Sequence, residues 1–487
     1  MCTLYTFSAY GVYFTCVVYG VNMNRLLPTV LLALLTTSGY PQSPCDTIIS
    51  THQAEQCVSI APPEDLKPLA PAHTYTLTEL VDLAESNNPE GRVAWAQAKA
   101  SMEKAGVARA AYLPVIAFAA QASDVRAIVP FPKPLAPRGY VTVEQPFANA
   151  QLELEYTLLD FGRRPKLEAS RATQLAGALR LGRTHQQIAY TVSTLYYREQ
   201  MEAGRLVAAQ TIVNTAETLL RNAQMQFDNG RATLPDLQNA KAGLAEARFS
   251  LAAAEGAVKK AKLTLTESLG VEPTTEIDLP PQPDWAPPES LSPEVEALIQ
   301  EAWKSRPDLL ARAQDLKRAQ QEAHVAHTAY LPKAALAAAG GQSATWPTAD
   351  FGTLGYANVS TWSARVTLKW EVFNGARRHE IRTALAEERA AAEEQRALKE
   401  RVTREVWQAY VDYQTAVEQQ HAAQSYLASS QTSYDSSLDA FKYGVRSLVD
   451  VVQAERQLAQ ARLAAVDANA QLALSATALT FAIGAQQ

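Results

Sequence analysis

The sequence predicts a mainly helical protein with a small β part, built from one helix–strand–strand–helix unit written twice. Three observations carry this. Matching motifs recur at a fixed offset through most of the chain. Very long helical stretches stand beside shorter ones of matching summed length. Four short segments switch from the helical period to two-residue alternation.

The 487 residues are 47% hydrophobic and 19% charged, which suits a large ordered core and argues against disorder. The net charge of −6 lacks the clustered basic surface that phosphates need, so no nucleic-acid partner is expected. The four cysteines, Cys2, Cys16, Cys45 and Cys57, all precede residue 58. Neither a disulfide framework nor a zinc site can therefore brace the body of the chain.

Residues 1–24 carry no charged side chain. Arg25 then precedes the apolar run from Leu26 to Leu35, followed by Thr36, Thr37, Ser38 and Gly39. A basic residue, an apolar run and small polar residues make up the grammar of an export signal. Translation is expected to start at Met23, with 1–40 as the signal region and 41–74 as an N-terminal extension. Lipid attachment at Cys45 and a Cys45–Cys57 bridge both stay open. No later stretch reaches about 18 apolar residues, so no transmembrane helix is expected after the signal.

Ala111-Tyr112-Leu113-Pro114 recurs as Ala329-Tyr330-Leu331-Pro332, and Pro89 and Pro307 keep the same offset of 218. Leu154 to Arg164 matches Leu368 to Arg378 at an offset of 214, and so do Gly230 with Gly444 and Gly270 with Gly484. The halves are thus 75–270 and 293–487, joined by the linker 271–292; seven prolines fall between 270 and 293. In the first half, 76–111 is helical with a break near Pro89. Residues 115–128 and 150–160 are strands, and helices cover about 164–228 and 234–269. The second half repeats this as a helix over 293–329, strands over 333–346 and 361–373, and helices over 376–442 and 448–483.

The last helix of each half holds a seven-residue seam. Leu237, Leu244, Leu251, Val258 and Leu265 recur as Val451, Leu458, Ala465, Leu472 and Leu479. Small residues follow three places later, from Ala240 to Ser268 and from Ala454 to Ala482. Apolar residues alternating with small ones over five heptads make a close coiled-coil seam. Each long helix is expected to face two shorter ones stacked end to end, giving an antiparallel helical rod within each half.

The strands are two-faced. Trp362, Ala364, Val366, Leu368, Trp370 and Val372 alternate with Ser363, Arg365, Thr367, Lys369 and Glu371. Leu152, Leu154, Tyr156 and Leu158 alternate with Gln151, Glu153, Glu155 and Thr157. Two readings compete: a lipid-facing barrel wall around water, and a soluble sandwich with its apolar side inside. Aromatic residues near the strand ends, such as Tyr140, Trp346 and Tyr356, favour lipid. Four strands cannot close a barrel, and lipid forbids an open edge, so other subunits must complete it. Three would give twelve strands, although alternation alone does not set that number.

No phosphate loop, nucleophile elbow or zinc spacing occurs, so the protein is not expected to be an enzyme or to hold a metal or cofactor. His324 and His327 lie i,i+3 near Glu322, but Gly106 and Arg109 stand at the matching places of the first half. They are expected on a solvated helix face.

The duplicated unit, the Arg306-Pro307-Asp308-Leu309 element, the two AYLP elements, the paired strand-to-helix junctions and the turns at Gly230 and Gly444 together resemble the TolC-like outer-membrane efflux protein family. That resemblance implies a homotrimer with a twelve-stranded barrel in outer-membrane lipid, on a helical tunnel extending into the periplasm. It also implies a passive duct for tripartite efflux or type I secretion, docked to a periplasmic adaptor and an inner-membrane transporter. A non-channel periplasmic coiled-coil scaffold or adaptor is the alternative.

The resemblance further implies a periplasmic entrance gated at Asp236, Arg446 and Asp450, with salt bridges between neighbouring coils holding it closed. Gln453 stands where some relatives carry a second acid. Gly230, Arg231, Gly444 and Val445 form the tip turns for adaptor docking. A plainer reading stands beside it: Thr233 to Asp236 and Ser447 to Asp450 are both capping boxes that start helices.

Overall fold

The structure, a computed structural model, describes residues 73–133, 136–272, 275, 277–280, 294–443 and 445–485. The export signal, the N-terminal extension up to residue 72, Cys45, Cys57, most of the Pro-rich linker and Gly444 lie outside the described residues.

Helices α1 (Leu77–Asn87) and α2 (Pro89–Ala110) lead into strands β1 (Val115–Pro130) and β2 (Tyr140–Leu159), then into α3 (Arg163–Asp228) and α4 (Leu234–Ser268). The second half runs α5 (Val295–Ser305), α6 (Pro307–Thr328), β3 (Lys333–Thr345), the short β4 (Thr348–Ala349) and β5 (Gly352–Thr353), β6 (Ala357–Lys369), α7 (Arg377–Lys442) and α8 (Leu448–Ile483). The breaks at Asn88 and Arg306 have one cause. A residue before proline is pushed out of the helical region, and both sit extended, at ψ 125° and 118°. Proline then opens the next helix, where its missing N–H is no loss.

Helices α3 and α7 are 66 residues each, about 100 Å long at 1.5 Å per residue. α2 and α4 pack along one flank of α3, and α6 and α8 pack along the other. α6 and α8 also pack on α7. The halves are therefore not two separate rods, as the expectation of one rod per half suggested. The stacked pair of the second half is wedged between both long helices.

The stacking joints repeat. Gly270 and Gly484 end α4 and α8 at φ 68° and 81°, a left-handed turn that glycine adopts without strain. A Cβ on Gly270 would meet Asn87 O at 2.8 Å, and one on Gly484 would meet Arg306 Cα at 3.1 Å. Each glycine thus lets one helix end abut the start of the next. Asn88 Nδ2 donates to Ser268 O at 3.0 Å across the first joint. Across the second, Ser305 Oγ donates to Ile483 O at 2.9 Å and Arg306 Nη1 to Ala482 O at 3.1 Å.

The seam of α8 is buried along its whole length, from Val451 to Leu479. In α4, Leu237, Leu244 and Leu265 are buried, but Leu251 and Val258 are only half-buried. α4 has a full partner in α3 alone, so its other flank is bare. Phe249 and Leu263 on α4, Val93 and Val107 on α2, and Trp407 and Val411 on α7 are all exposed.

Among the described residues, two charged groups are almost fully buried in this layer. Arg306, 2% exposed, bonds Asp308 through Nε and Nη2 at 3.1 and 2.7 Å and donates to Glu405 at 2.8 Å. Glu199, also 2% exposed, has one carboxylate oxygen with no hydrogen-bond partner among the described residues. Burial pushes its pKa up from the ordinary 4.5.

The sheet order is β1–β2–β3–β6, all antiparallel, with β4 and β5 continuing beside the upper part of β2. This is also the helix order α2–α3–α6–α7, so each strand continues one helix. Both layers end on the same flanks, β1 over α2 and β6 over α7. β6 is exposed along its entire length, and Trp362 is 83% exposed. The apolar sides are thus not buried in the chain's own interior, and a soluble sandwich is excluded.

Two strands differ markedly from expectation. β2 starts at Tyr140, not 150, and is 20 residues long. Pro146 hid this extension, since proline ordinarily breaks a ladder. Here Pro146 O accepts from Trp346 N at 3.2 Å, just where β3 gives way to β4, and no ladder donor is required. β6 covers Ala357–Lys369 instead of 361–373. Alternation runs on through Trp370 and Val372, but β3 begins at Lys333, opposite Lys369, and offers nothing below to pair with.

Gly484→Ala should destabilise the protein by about 1–2 kcal/mol through the left-handed strain alone. Gly182→Ala, in the open interior of α3, should stabilise it by up to about 1 kcal/mol. Oligomer melting temperatures check both. Glu199→Gln should raise the melting temperature at pH 7. A raised folded pKa means that stability is lost as pH climbs from about 4.5 towards the folded value, so the gain should shrink on acidification. A gain that does not depend on pH would contradict this.

Candidate functional site

The two hairpin tips share a turn dictated by the helix ends. Arg231 N donates to Gln226 O at 2.8 Å, and Val445 N to Ala440 O at the same distance. Such bonds close the last orphan carbonyls of α3 and α7. Gly230 takes φ 66° in the first turn. Arg231, Val445 and Arg446 are exposed. Behind the turns, Leu219, Ala223, Leu237, Ala240, Phe441, Leu448 and Val451 form one cluster that joins the two hairpins.

Both capping boxes are formed. Asp236 Oδ2 accepts from Thr233 N and Oγ1 at 2.9 and 2.6 Å. Asp450 Oδ2 accepts from Ser447 N and Oγ at 3.1 and 2.8 Å. The Thr233 hydroxyl, then its backbone N–H, hold the Asp236 carboxyl below its ordinary value. Ser447 does the same for Asp450, with a smaller pull from Arg446. Both carboxylates are therefore charged at neutral pH. Leu237 and Val451, their sequence neighbours, share the tip cluster, so the two acids lie at one level. Gln453 is exposed one turn further along α8.

Arg446 donates from Nη1 to Ser437 Oγ at 3.2 Å. No ion pair between Arg446 and either aspartate is present within the chain among the described residues. Further up, Arg205 joins the hairpins through Asp467 at 2.7 Å and Arg456 reaches Glu246 at 3.8 Å.

At the other end, register sorts the sheet into two faces. Ile116, Leu154, Ala338 and Ala364 share one level of the apolar face, as do Phe118, Leu152, Gly340 and Trp362. The opposite face carries Gln151, Glu153 and Glu155 on β2 and Arg365 on β6. Gln151 Nε2 donates to Glu153 Oε1 at 2.6 Å, and Asn149 Nδ2 to Gln151 Oε1 at 3.2 Å. Small neighbours flank this ladder, with Ala117 and Ala119 on β1 and Ala337, Ala339 and Gly341 on β3. One wall suits hydrocarbon and the other suits water.

Sequence reasoning missed the buried Arg306 cluster as a joint. The signal was present, because Arg306 and Asp308 replace Asn88 and Glu90 of the first half. His324 and His327 are exposed on α6, and the described residues hold no cluster fit for a metal.

The profile of the outer membrane efflux proteins matches residues 80–271 and 298–485. Protein CyaE of Bordetella pertussis is 29% identical over 419 residues, covering 84% of each chain. The cation efflux system protein CusC of Escherichia coli K12 is 24% identical over 345 residues, 69% of this chain and 72% of that one. The solved outer-membrane protein VceC of Vibrio cholerae shares the fold at a TM-score of 0.71 and 18% identity, covering 84% of this chain and 96% of that one. With two hairpins, a sheet open at both edges and an apolar wall that nothing in its own chain covers, this protein belongs to the outer membrane efflux protein family: it is an outer-membrane channel that extends into the periplasm.

Proposed function

We infer that three copies close side by side into a twelve-stranded barrel on a twelve-helix tunnel. The observation that carries this is the shared open flank. β1 and α2 end one side of the chain, and β6 and α7 end the other. β1 runs opposite to β6, so β6 of one copy meets β1 of the next as an antiparallel pair, and every later junction keeps that sense. Apolar residues left bare on α2, α4 and α7 become the contacts between copies. Outer-membrane lipid covers the face that carries Phe118 and Trp362.

The protein is a passive exit duct of a tripartite efflux or type I secretion system, with no reaction of its own. A periplasmic adaptor docks on the tip turns around Gly230, Arg231, Gly444 and Val445, and an inner-membrane transporter supplies solute and energy. Asp236 and Asp450 of three copies form a charged ring at the entrance that favours cations, with Gln453 leaving it less negative. Arg446, unpaired with either acid in its own chain, reaches a neighbouring coil and holds the entrance narrow. Capping and gating coexist: one oxygen of each aspartate is taken by the cap, and the charge remains.

Cell fractionation should place the protein in the outer membrane as a heat-modifiable trimer; a soluble periplasmic monomer would exclude the duct. In planar bilayers, Arg446→Ala should raise single-channel conductance. Asp236→Asn and Asp450→Asn keep the size and hydrogen-bonding capacity of the cap residue and remove its charge. They should lower cation preference, and unchanged selectivity in both would leave these residues as caps alone.

A further inference from the structure

The water-facing wall of the sheet sorts its charges by strand. β1 brings none to that face, since Asp124 and Arg126 point with Phe118 to the other side. β2 brings Glu153 and Glu155, while β3 and β6 bring Lys333, Lys369 and Arg365. Asp160, just past β2, holds Lys333 at 3.2 Å. Register sets Glu155, Ala337 and Arg365 on one level. Two strand spacings of about 4.8 Å separate Glu155 from Arg365, and neither side chain has an ion-pair partner among the described residues.

This sorting gains its meaning from the trimer, on which the following step rests. In a ring of twelve strands, each strand faces the one six places on. The repeating order β1–β2–β3–β6 then sets every β2 across the axis from a β6. Each acidic stripe looks at a basic stripe.

We propose that these alternating stripes set up local fields along the lumen wall, strongest beside the wall and cancelling on the threefold axis, which orient dipolar solutes passing along it and favour them over uncharged ones of equal size. The solute class is a molecule with separated positive and negative groups. Twelve strands tilted by about 40° give a backbone diameter of about 24 Å. Side chains of about 6 Å from each wall leave a gap of about 12 Å. That is close to the screening length of about 10 Å at 0.1 M salt and far above the value of about 3 Å at 1 M. The field of each stripe therefore reaches well into the lumen in dilute salt and is confined to the wall in concentrated salt.

The test uses the full-length trimer in planar bilayers and proteoliposomes. The variants are Glu153→Gln with Glu155→Gln, Arg365→Gln, and all three together. Gln keeps the hydrogen-bonded ladder and removes charge. In dilute salt, the double variant should shift the reversal potential towards anions, and Arg365→Gln should shift it towards cations. In proteoliposome swelling, the rate for zwitterionic glycine betaine relative to uncharged pentaerythritol should fall in both and fall furthest in the triple variant. Raising salt to about 1 M should erase the shifts. A rate ratio unchanged in every variant would overturn the proposal, as would a fall confined to the loss of Glu153 and Glu155, which a simple cation-attracting wall would give. Wild-type protein that formed no channel would instead overturn the trimer itself.

Discussion

Unpaired backbone at a sheet edge is the constraint from which the rest of this molecule follows. In water, an edge strand can turn its N–H and C=O groups to solvent. In hydrocarbon each unsatisfied group costs several kcal/mol, so β1 and β6 cannot stand alone. The chain offers no fifth long strand and no covering helix for them among the described residues. Closure has to come from outside the chain, and the helical layer beneath is built to the same rule. α2, α3, α6 and α7 follow the circumferential order of the strands above them, so one rotation closes both layers together. Apolar side chains such as Phe249 and Trp407 stay bare on the single chain, where leaving them in water is costly.

Small residues make the lower layer possible. Alanines along the seam of α8 let α3 and α7 approach on both sides, which larger side chains would prevent. The seam in α4 is as regular in sequence but is less buried, because its second flank waits for another copy. Pattern alone therefore specified what could be buried, and position in the layer decided what was.

Much of this was legible from the chain. The offsets of 218 and 214 exposed the duplication, and the prolines at 89 and 307 marked both joints. Helix ends were legible because caps and turn glycines are local. Strand ends were not, because they depend on a partner. Trp370 continues the alternation with nothing to pair against, and Pro146 lies within β2 where β3 gives way to β4. The wedging of α6 and α8 between both long helices was hidden for a similar reason, since no sequence period reports which copy a face will meet. At the tip, the capping of Asp236 and Asp450 was plain in the spacing. The bonding of Arg306 to Asp308, Glu405 and Ala482 was not, because its partners come from three separate helices.

The glycine joints carry a mechanical implication. A butted pair of helix ends resists being pushed together but transmits torque poorly, since no covalent backbone crosses it. At the level of Gly270 and Gly484, half the staves of the cylinder are interrupted and only α3 and α7 pass through unbroken. Torsion applied at the periplasmic end is thus shed at this girdle, and the membrane-embedded end is spared most of it.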